Sequence, residues 1–594
     1  MQNREHPLHT VKTDCQDCYK CVRRCPVKAI KIEENSAMIV PDLCIACGTC
    51  YRVCPSKAKQ PRSDLARAKY LVSSNKEIYV SLAPSWITEF PEYNAEQIVA
   101  AIRKLGIRGV SETALGAQEV TAQTVKTIKD SISKGEKKLF LSSACPAVVE
   151  YIEKYLPELT PNITNIASPL LAHCRMLKEK FGNHIETIFI GPCIAKKFEA
   201  DRHPDLLSVA LSFNDLRQWL KDEKIDPAKT KPGVYDVFTL ERAQEGTAYP
   251  IEGGMLETIK AYNLDNSVYT AQITGIFSIQ NELSNIDPDN IEQPTFIECL
   301  ACYGGCVSGP CTTNKSSGLQ KRLNILKHTS FTEQSGTRTP QHNIIVNYKA
   351  QDNFDNSTNF DDSDIRKVLA KIGKFSIDDE LNCGGCGYDT CRNFAKALLL
   401  GKAEPEMCVS HMKQQAQRKA NALIRCIPSP IVIADSKLNI MEYNDEFRDT
   451  FWNEEEHADI YDYDNLNGAN LRDFISFTNL FSASLDLEQD IHKEHVRHED
   501  KLFDVVVFNI DAKQSVGGII EDVTNTEMHK EQIAARAKEV IHKNLATVQQ
   551  IACTLGEHMA ETEVLLRSIA KDYAADETSA AGLKVRTNSA EKDS

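Results

Sequence analysis

Two short cysteine runs constrain this chain more than any other feature. The first reads Cys15-x2-Cys18-x2-Cys21-x3-Cys25-Pro26, and the second, 29 residues on, reads Cys44-x2-Cys47-x2-Cys50-x3-Cys54-Pro55. Three thiolates on one tight loop can grip three corners of an iron–sulfur cube, and in two-cluster arrangements the fourth cysteine of each run serves the other cube. Cys15, Cys18, Cys21 and Cys54 are therefore expected to hold one 4Fe–4S cluster, and Cys44, Cys47, Cys50 and Cys25 a second. A pair of zinc knuckles is the competing chemistry, and the repeat with its Cys-Pro ending favours iron. Residues 29–32 and 37–40 read as short strands. Two cubes bring electrons in or out without saying for what purpose.

The repeat resembles the bacterial 2×4Fe–4S ferredoxin module, here over residues 1–62. The rest of the composition agrees with metal chemistry. There are 21 cysteines in 594 residues, and they are clustered. Met1 to Thr10 lacks the apolar core of an export signal, so metal ligation is a better reading than disulfides and the expected location is cytoplasmic. Lys and Arg number 69 against 83 Asp and Glu, a net charge of −14. With no dense basic block, nucleic acid is not the expected partner. No stretch approaches the roughly 20 apolar residues of a membrane span. At about 100–200 residues per domain the length implies three to six domains.

From about Lys76 strands and helices alternate. Residues 77–82, 138–141 and 187–190 read as buried strands and 95–105 as an amphipathic helix, a pattern that predicts α/β architecture with a mostly parallel sheet. Sites on such sheets lie at the carboxyl ends of strands. That places Ser142-Ser143-Ala144-Cys145-Pro146 and Gly191-Pro192-Cys193 where a ligand belongs. A third stretch, Glu298-Cys299-Leu300-Ala301-Cys302-Tyr303-Gly304-Gly305-Cys306, spaces two cysteines around two glycines, which let backbone approach a bulky group. Cys145, Cys193, Cys302 and Cys306 suffice for one more cube.

These three segments resemble the signature loops of the FeFe hydrogenase catalytic domain (T-S-C-C-P, M-P-C-x2-K-x2-E and E-x-M-x-C-x-G-G-C-x2-G), over residues 76–315. The resemblance implies an H-cluster, a 4Fe–4S cube joined to a two-iron unit carrying CO, cyanide and an azadithiolate. It implies that Cys145, Cys193, Cys302 and Cys306 hold the cube and that Cys306 bridges to the two irons. Lys196 matches the lysine that hydrogen-bonds a cyanide, Glu199 the acid of the same loop, and Ala83-Pro84-Ser85 the segment lining the other side. The catalytic set is then Cys306, Lys196 and Glu199. Gly253-Gly254-Met255-Leu256-Glu257 resembles the family's G-G-V-M-E stretch. The chain also departs from the pattern. Ala144 stands where fast enzymes have a proton-passing cysteine, Gly191 and Leu300 replace two methionines, and the acidic relay stretch aligns with Val120 to Thr127, which contains no carboxylate. A cube without the two-iron unit, as in relatives that serve iron–sulfur assembly, is the competing reading. Lys196 and Ala83-Pro84, whose family roles concern the two irons, argue against it.

Residues 316–363, rich in Asn, Ser, Thr and Asp, read as a linker or loose excursion. Cys383-x2-Cys386-x4-Cys391-x16-Cys408 follows within a module at 364–415. It resembles the small iron–sulfur module of corrinoid and carbon-monoxide proteins, with zinc as the competing metal. Three 4Fe–4S clusters are thus expected outside the H-cluster. Cys174, Cys299, Cys311, Cys426 and Cys553 remain as ordinary thiols.

Residues 420–526 open with Ile431-Val432-Ile433-Ala434-Asp435 and close with Asp522-Val523-Thr524, an order that resembles a PAS domain. Residues 527–573 carry one apolar stripe on a polar helix, which asks for a partner such as its own copy. His542 lies there, but no ATP-binding domain follows it. Residues 574–594 read as disordered. The fold class is therefore multidomain α+β and α/β. The expected function is a sensory FeFe hydrogenase with slow, reversible H2 chemistry. Its expected partners are H2, protons, a redox partner such as ferredoxin, hydrogenase maturation factors, a downstream kinase, phosphatase or regulator, and a second copy of itself. An ordinary catalytic hydrogenase with an altered proton path and a cube-only redox-sensing protein are the alternatives.

Overall fold

A computed structural model describes residues 5–524, apart from 34–35, 137, 265–267, 352–359, 454–456, 458–461 and 464, and then residues 540–544. The chain divides into two units, Met1–Glu404 and Pro405–Ser594, each considered by itself below.

The first unit begins with the cysteine runs. β2 (Ile30–Glu33) and β3 (Ser36–Ile39) form an antiparallel hairpin, and β1 (Leu8–Thr10) pairs with β4 (Lys59–Pro61), a closing pair the sequence did not reveal. Each cysteine run ends in a short helix, Lys20–Arg23 and Thr49–Val53.

Two parallel sheets follow. One has the order β6-β5-β8-β9 from Ile78–Leu82 (β5), Gly109–Glu112 (β6), Glu186–Gly191 (β8) and Val209–Ser212 (β9). The other has the order β10-β11-β7 from Leu139–Leu141 (β7), Tyr269–Thr274 (β10) and Thr295–Leu300 (β11). Every residue of β5 is buried, as expected for a parallel strand covered on both faces. The helix Ala95–Lys104 starts at a capping box, with Asn94 accepting from the Gln97 N–H and Gln97 answering in return. It turns Ile98, Val99 and Ile102 into the core. Because both sheets are parallel, the loops after β5, β7, β8 and β11 gather at carboxyl ends, and these are the loops that carry Ala83, Cys145, Cys193 and Cys302.

One expectation is corrected. Residues 316–351 are no loose excursion. Gly318–His328 is a helix whose Ile325 is fully buried in the main core. Beyond it the chain lies along the domain as a strap. The Ala167 N–H donates to Ile344, the Val346 N–H to Asn165 and the Gln351 N–H to Glu153, while Arg338 pairs with buried Glu245 at 2.8 Å. The polar composition misleads because the strap is held by backbone bonds and ion pairs, with few apolar side chains. Helices Asp362–Lys371 and Cys391–Leu399 then form the frame of the small cysteine module.

The second unit opens on the helix Val409–Cys426, none of whose residues is buried. An antiparallel sheet of order β13-β12-β16-β15-β14 follows, built from β12 (Ile431–Asp435), β13 (Ile440–Tyr443), β14 (Ile491–His498), β15 (Lys501–Asp511) and β16 (Ser515–Asp522). β14 was not anticipated, since its polar residues show no apolar alternation. Asn444 ties the entry together. Its amide oxygen accepts from the Ile431 and Phe447 N–H groups, and its Nδ2 donates to the Ser429 carbonyl at 2.7 Å. Phe447, Phe451, Phe474, Phe481 and Phe503 fill the core. The expected helix at 527–573 and tail at 574–594 fall outside the described residues, except that 540–544 are helical.

Candidate metal centre

The two ferredoxin-like cysteine groups assemble across the runs. Cys21 is raised by burial; Lys59 opposes the shift, and Cys18, Cys15 and Cys54 add to it. Cys50 is raised by burial, then by Cys47, Cys44 and Cys25 and, least, by Cys21 of the other group. Cys54 therefore sits with the first run and Cys25 with the second, although each lies in the other run by sequence. The surroundings differ. Burial raises Cys15 and Cys54, but donors outweigh it and hold both below the ordinary thiol value. Those donors are the Ala37 and Asp17 N–H groups with the Ser36 hydroxyl for Cys15, and the Ser56 hydroxyl with the Lys59 and Ala58 N–H groups for Cys54. Burial instead lifts Cys25 to about 12. A bare thiolate in such a place is penalised, and clustered thiolates are relieved only by positive charge among them. The donor set thus fits a metal cluster.

The third group lines one pocket of about 100 Å3 at the sheets' carboxyl ends, with Cys145, Cys193, Cys302 and Cys306 all in its wall. Cys145 caps the helix Pro146–Tyr155, Cys193 comes two residues after β8, and Cys302 two residues after β11. Cys306 is raised by burial, then by Cys145 and Cys193. The turn between Cys302 and Cys306 needs its glycines. Gly305 has φ +94°, and a Cβ there would stand 2.4 Å from the Pro250 carbonyl oxygen. Cys299, Cys311 and Cys174 are buried and do not line the pocket.

The rest of the wall is mostly alkyl and ring carbon. Ala83, Pro84 and Ser85 form part of it directly after β5, and Ala144 lies beside Cys145. Lys196 is buried in the wall. Its Nζ pairs with Glu199 Oε2 at 2.8 Å and donates to Ser168 Oγ at 3.0 Å. Burial lowers the Lys196 pKa, but Glu199 and Cys193 prevail and keep it above the ordinary value, so it stays a cation. Glu199 itself faces a second, more polar pocket, shared with Glu153, Arg202 and Tyr348.

The segment expected to relay protons lies on the long helix Ala114–Ser133, which presents Ala114 and Ala117 to the pocket. Its hydroxyls are already engaged. Thr121 Oγ1 lies 2.7 Å from the Tyr249 hydroxyl and 2.9 Å from Thr258 Oγ1, and Thr124 bonds back to the Val120 carbonyl at 2.7 Å. Glu119, just before the segment, accepts N–H donors from Gln341 and His342 of the strap.

Sequence reasoning quoted Glu298 as part of the third loop but gave it no role. It lines the pocket. Burial raises it from 4.5 to about 7, although the Leu256 and Met255 N–H groups oppose the shift. One of its oxygens, Oε1, has no partner. A buried acid at the head of a cysteine loop was a visible signal, but nothing in the spacing told whether its side chain faced the pocket.

Residues 76–310 match the family described as iron only hydrogenase large subunit, C-terminal domain. They form an FeFe hydrogenase-like domain. Residues 14–58 match a 4Fe-4S dicluster domain and residues 379–410 a family described as "Putative Fe-S cluster". Iron hydrogenase 1 of Clostridium pasteurianum is 24% identical over 375 residues, spanning 52% of this chain and 65% of its own, so the chain covers just under two thirds of that relative. The cytosolic Fe-S cluster assembly factor NAR1 of Sclerotinia sclerotiorum is 25% identical over 474 residues, spanning 60% of this chain and 80% of its own. A solved FeFe hydrogenase from Chlamydomonas reinhardtii is 18% identical with TM-score 0.40, covering 49% of this chain and 99% of that one. Among the described residues no helix is long and apolar enough to cross a membrane.

Proposed function

We propose that the FeFe hydrogenase-like domain carries an H-cluster and serves as a slow, sensory hydrogenase. The observation that carries this reading is the pairing, in one pocket wall, of a retained Lys196 with an Ala144 that can pass no proton. Cys145, Cys193, Cys302 and Cys306 would hold the cube, with Cys306 shared with the two-iron unit. When bound, that group supplies reversible splitting of H2 into two protons and two electrons. The chain's own residues orient and insulate it. Lys196, fixed by Glu199 and Ser168, presents a permanent N–H donor to the pocket. Ala83, Pro84 and Ser85 close the opposite side and exclude water. Ala144 leaves the pocket without an acid beside the first ligand. General acid–base assistance is typically worth about 10²–10⁴-fold, so a site built this way holds its cofactor and turns over slowly, which suits sensing.

Electrons would pass through the cubes of Cys15, Cys18, Cys21 and Cys54, of Cys44, Cys47, Cys50 and Cys25, and of the Cys383–Cys391 loop, to a redox partner such as ferredoxin. The five-stranded antiparallel sheet with its phenylalanine core supports a PAS-like reading of residues 420–526. On that reading the C-terminal part would pass the signal to a kinase, phosphatase or other regulator, as a homodimer. Maturation factors would build the two-iron unit, whose sensitivity to oxygen would suit an anaerobic cytoplasm.

The relation to assembly factors favours a second reading, a cube-only protein without hydrogen chemistry. Infrared spectra of anaerobically matured protein separate the two. CO and cyanide bands that move under hydrogen support the first, and their absence after maturation supports the second.

A further inference from the structure

We infer that the cube on the Cys383–Cys391 loop exchanges electrons with the ferredoxin-like pair and not directly with the hydrogenase pocket. It thereby forms the outer terminal of a three-stage wire. The inference rests on the reading of these cysteines as cluster ligands.

The two ferredoxin-like runs face different neighbours. The Cys44–Cys50 loop is seated on the hydrogenase domain. Ala46 and Cys47 line its pocket, and a Cβ on Gly48 would stand 2.6 Å from the Pro310 side chain. Lys154 Nζ donates to the Cys44 carbonyl at 3.1 Å, the Tyr155 hydroxyl to the Leu43 carbonyl at 2.7 Å, and Arg52 to the Ser308 carbonyl at 3.3 Å. The Cys15–Cys25 run meets the small module, and only at its end, where the Pro26 carbonyl accepts from Gln280 Nε2 at 3.3 Å, does it also bond the hydrogenase-like domain. Gly387, between Cys386 and Cys391, lies on Arg23 so closely that a Cβ there would be 2.7 Å from the Arg23 Cα and 3.2 Å from its nitrogen. Lys28 Nζ donates to the Gly387 carbonyl and stands 5.7 Å from the centre of the Tyr388 ring. Arg23 and Lys28 bracket Cys25, which comes from the first run yet sits with the second cysteine group. Backbone of the small module thus touches the stretch of chain that joins both ferredoxin-like groups.

Electron tunnelling falls off exponentially with distance, so direct backbone contact between two ligand loops selects the route. Gly387 has φ +92° and, lacking a side chain, permits that contact. Each transfer moves one electron from a reduced cube to an oxidised one, with no bond made or broken.

The test uses the full chain, loaded anaerobically with iron and sulfide, reduced with dithionite and examined by electron paramagnetic resonance. Magnetic interaction should broaden the ferredoxin-like signals. Cys391→Ala, which deletes the outer cube, should sharpen them. Gly387→Val should give the same sharpening while the outer cube keeps its iron. Should Gly387→Val lose that iron, Lys28→Met, which removes the donor to the Gly387 carbonyl and the cation over Tyr388 while leaving every cysteine in place, should still narrow the signals. Ferredoxin-like signals identical in wild type and Cys391→Ala, or a Cys383–Cys391 loop that takes up no iron, would overturn the inference. Coupled cubes that hydrogen fails to reduce would count against the hydrogenase reading and leave this wire standing.

Discussion

The pocket has two sides that differ in what they keep. On the thiol side, four cysteines from three loops meet in one wall, with a lysine cation locked against Glu199 2.8 Å away. Elsewhere in the wall stand Ala144, beside Cys145, with Ala114 and Ala117, and the nearby threonine hydroxyls are engaged by their own helix and by Tyr249 and Thr258. Metal ligation and proton delivery thus rest on different residues of one pocket: four cysteines and a lysine serve the first, while the carboxyl in the wall is Glu298, away from the position of Ala144.

The largest expected effect breaks the thiol side. Cys306→Ala should abolish the CO and cyanide infrared bands of matured protein while leaving the ferredoxin-like paramagnetic signals in place. Retained bands would mean that Cys306 does not hold the two-iron unit.

Lys196→Met comes next. It takes the ammonium away from half-buried Glu199, which keeps Arg202 in its polar pocket, so the cost should fall below the ~3–5 kcal/mol typical of breaking a fully buried pair. A clear fall in the unfolding midpoint is expected, together with shifted cyanide bands. A variant as stable as wild type would show that the ion pair is already wet.

Ala144→Cys repairs the proton side alone. It should raise hydrogen turnover by up to about 10²-fold, the lower end of what a positioned acid contributes, with the infrared bands little changed. No gain would place the bottleneck further out, at the helix of Thr121 and Thr124. Away from the pocket, Ile325→Ala should cost about 2–5 kcal/mol as a core cavity. A smaller loss in a denaturant titration would show that the helix Gly318–His328 is less firmly packed than its burial implies.

The smallest effect is a slope. Glu298 is raised by burial from 4.5 to about 7, so the folded state holds its proton more tightly than the unfolded chain. That stabilisation is complete below about pH 4.5 and is lost as the pH rises through about 7. Glu298→Gln should flatten the fall in melting temperature across this window, and an unchanged slope would assign it to another group.

These outcomes also mark how much was legible beforehand. The cysteine runs could be read because their ligands are local, so spacing alone implies geometry. The exchange of Cys25 and Cys54 was expected from the repeat, and the charged neighbours of Cys21 and Cys50 agree with it. The pocket was partly legible, since parallel strands deliver their following loops to one end. Its proton side was legible only as missing carboxylates at 120–127, because spacing does not reveal that Thr121 is bonded to Tyr249. The strap at 316–351 was misread because backbone bonds leave no trace in composition. β14 was missed because its residues are mostly polar and exposed. The contact of Gly387 with Arg23 spans 364 positions of chain, and only the folded molecule reveals it.

An infrared spectrum of the anaerobically matured full chain, taken under argon and then under hydrogen, decides whether the pocket holds a two-iron unit. CO and cyanide bands that shift when hydrogen is admitted are expected. A matured protein with loaded cubes and no such bands would rule the H-cluster out.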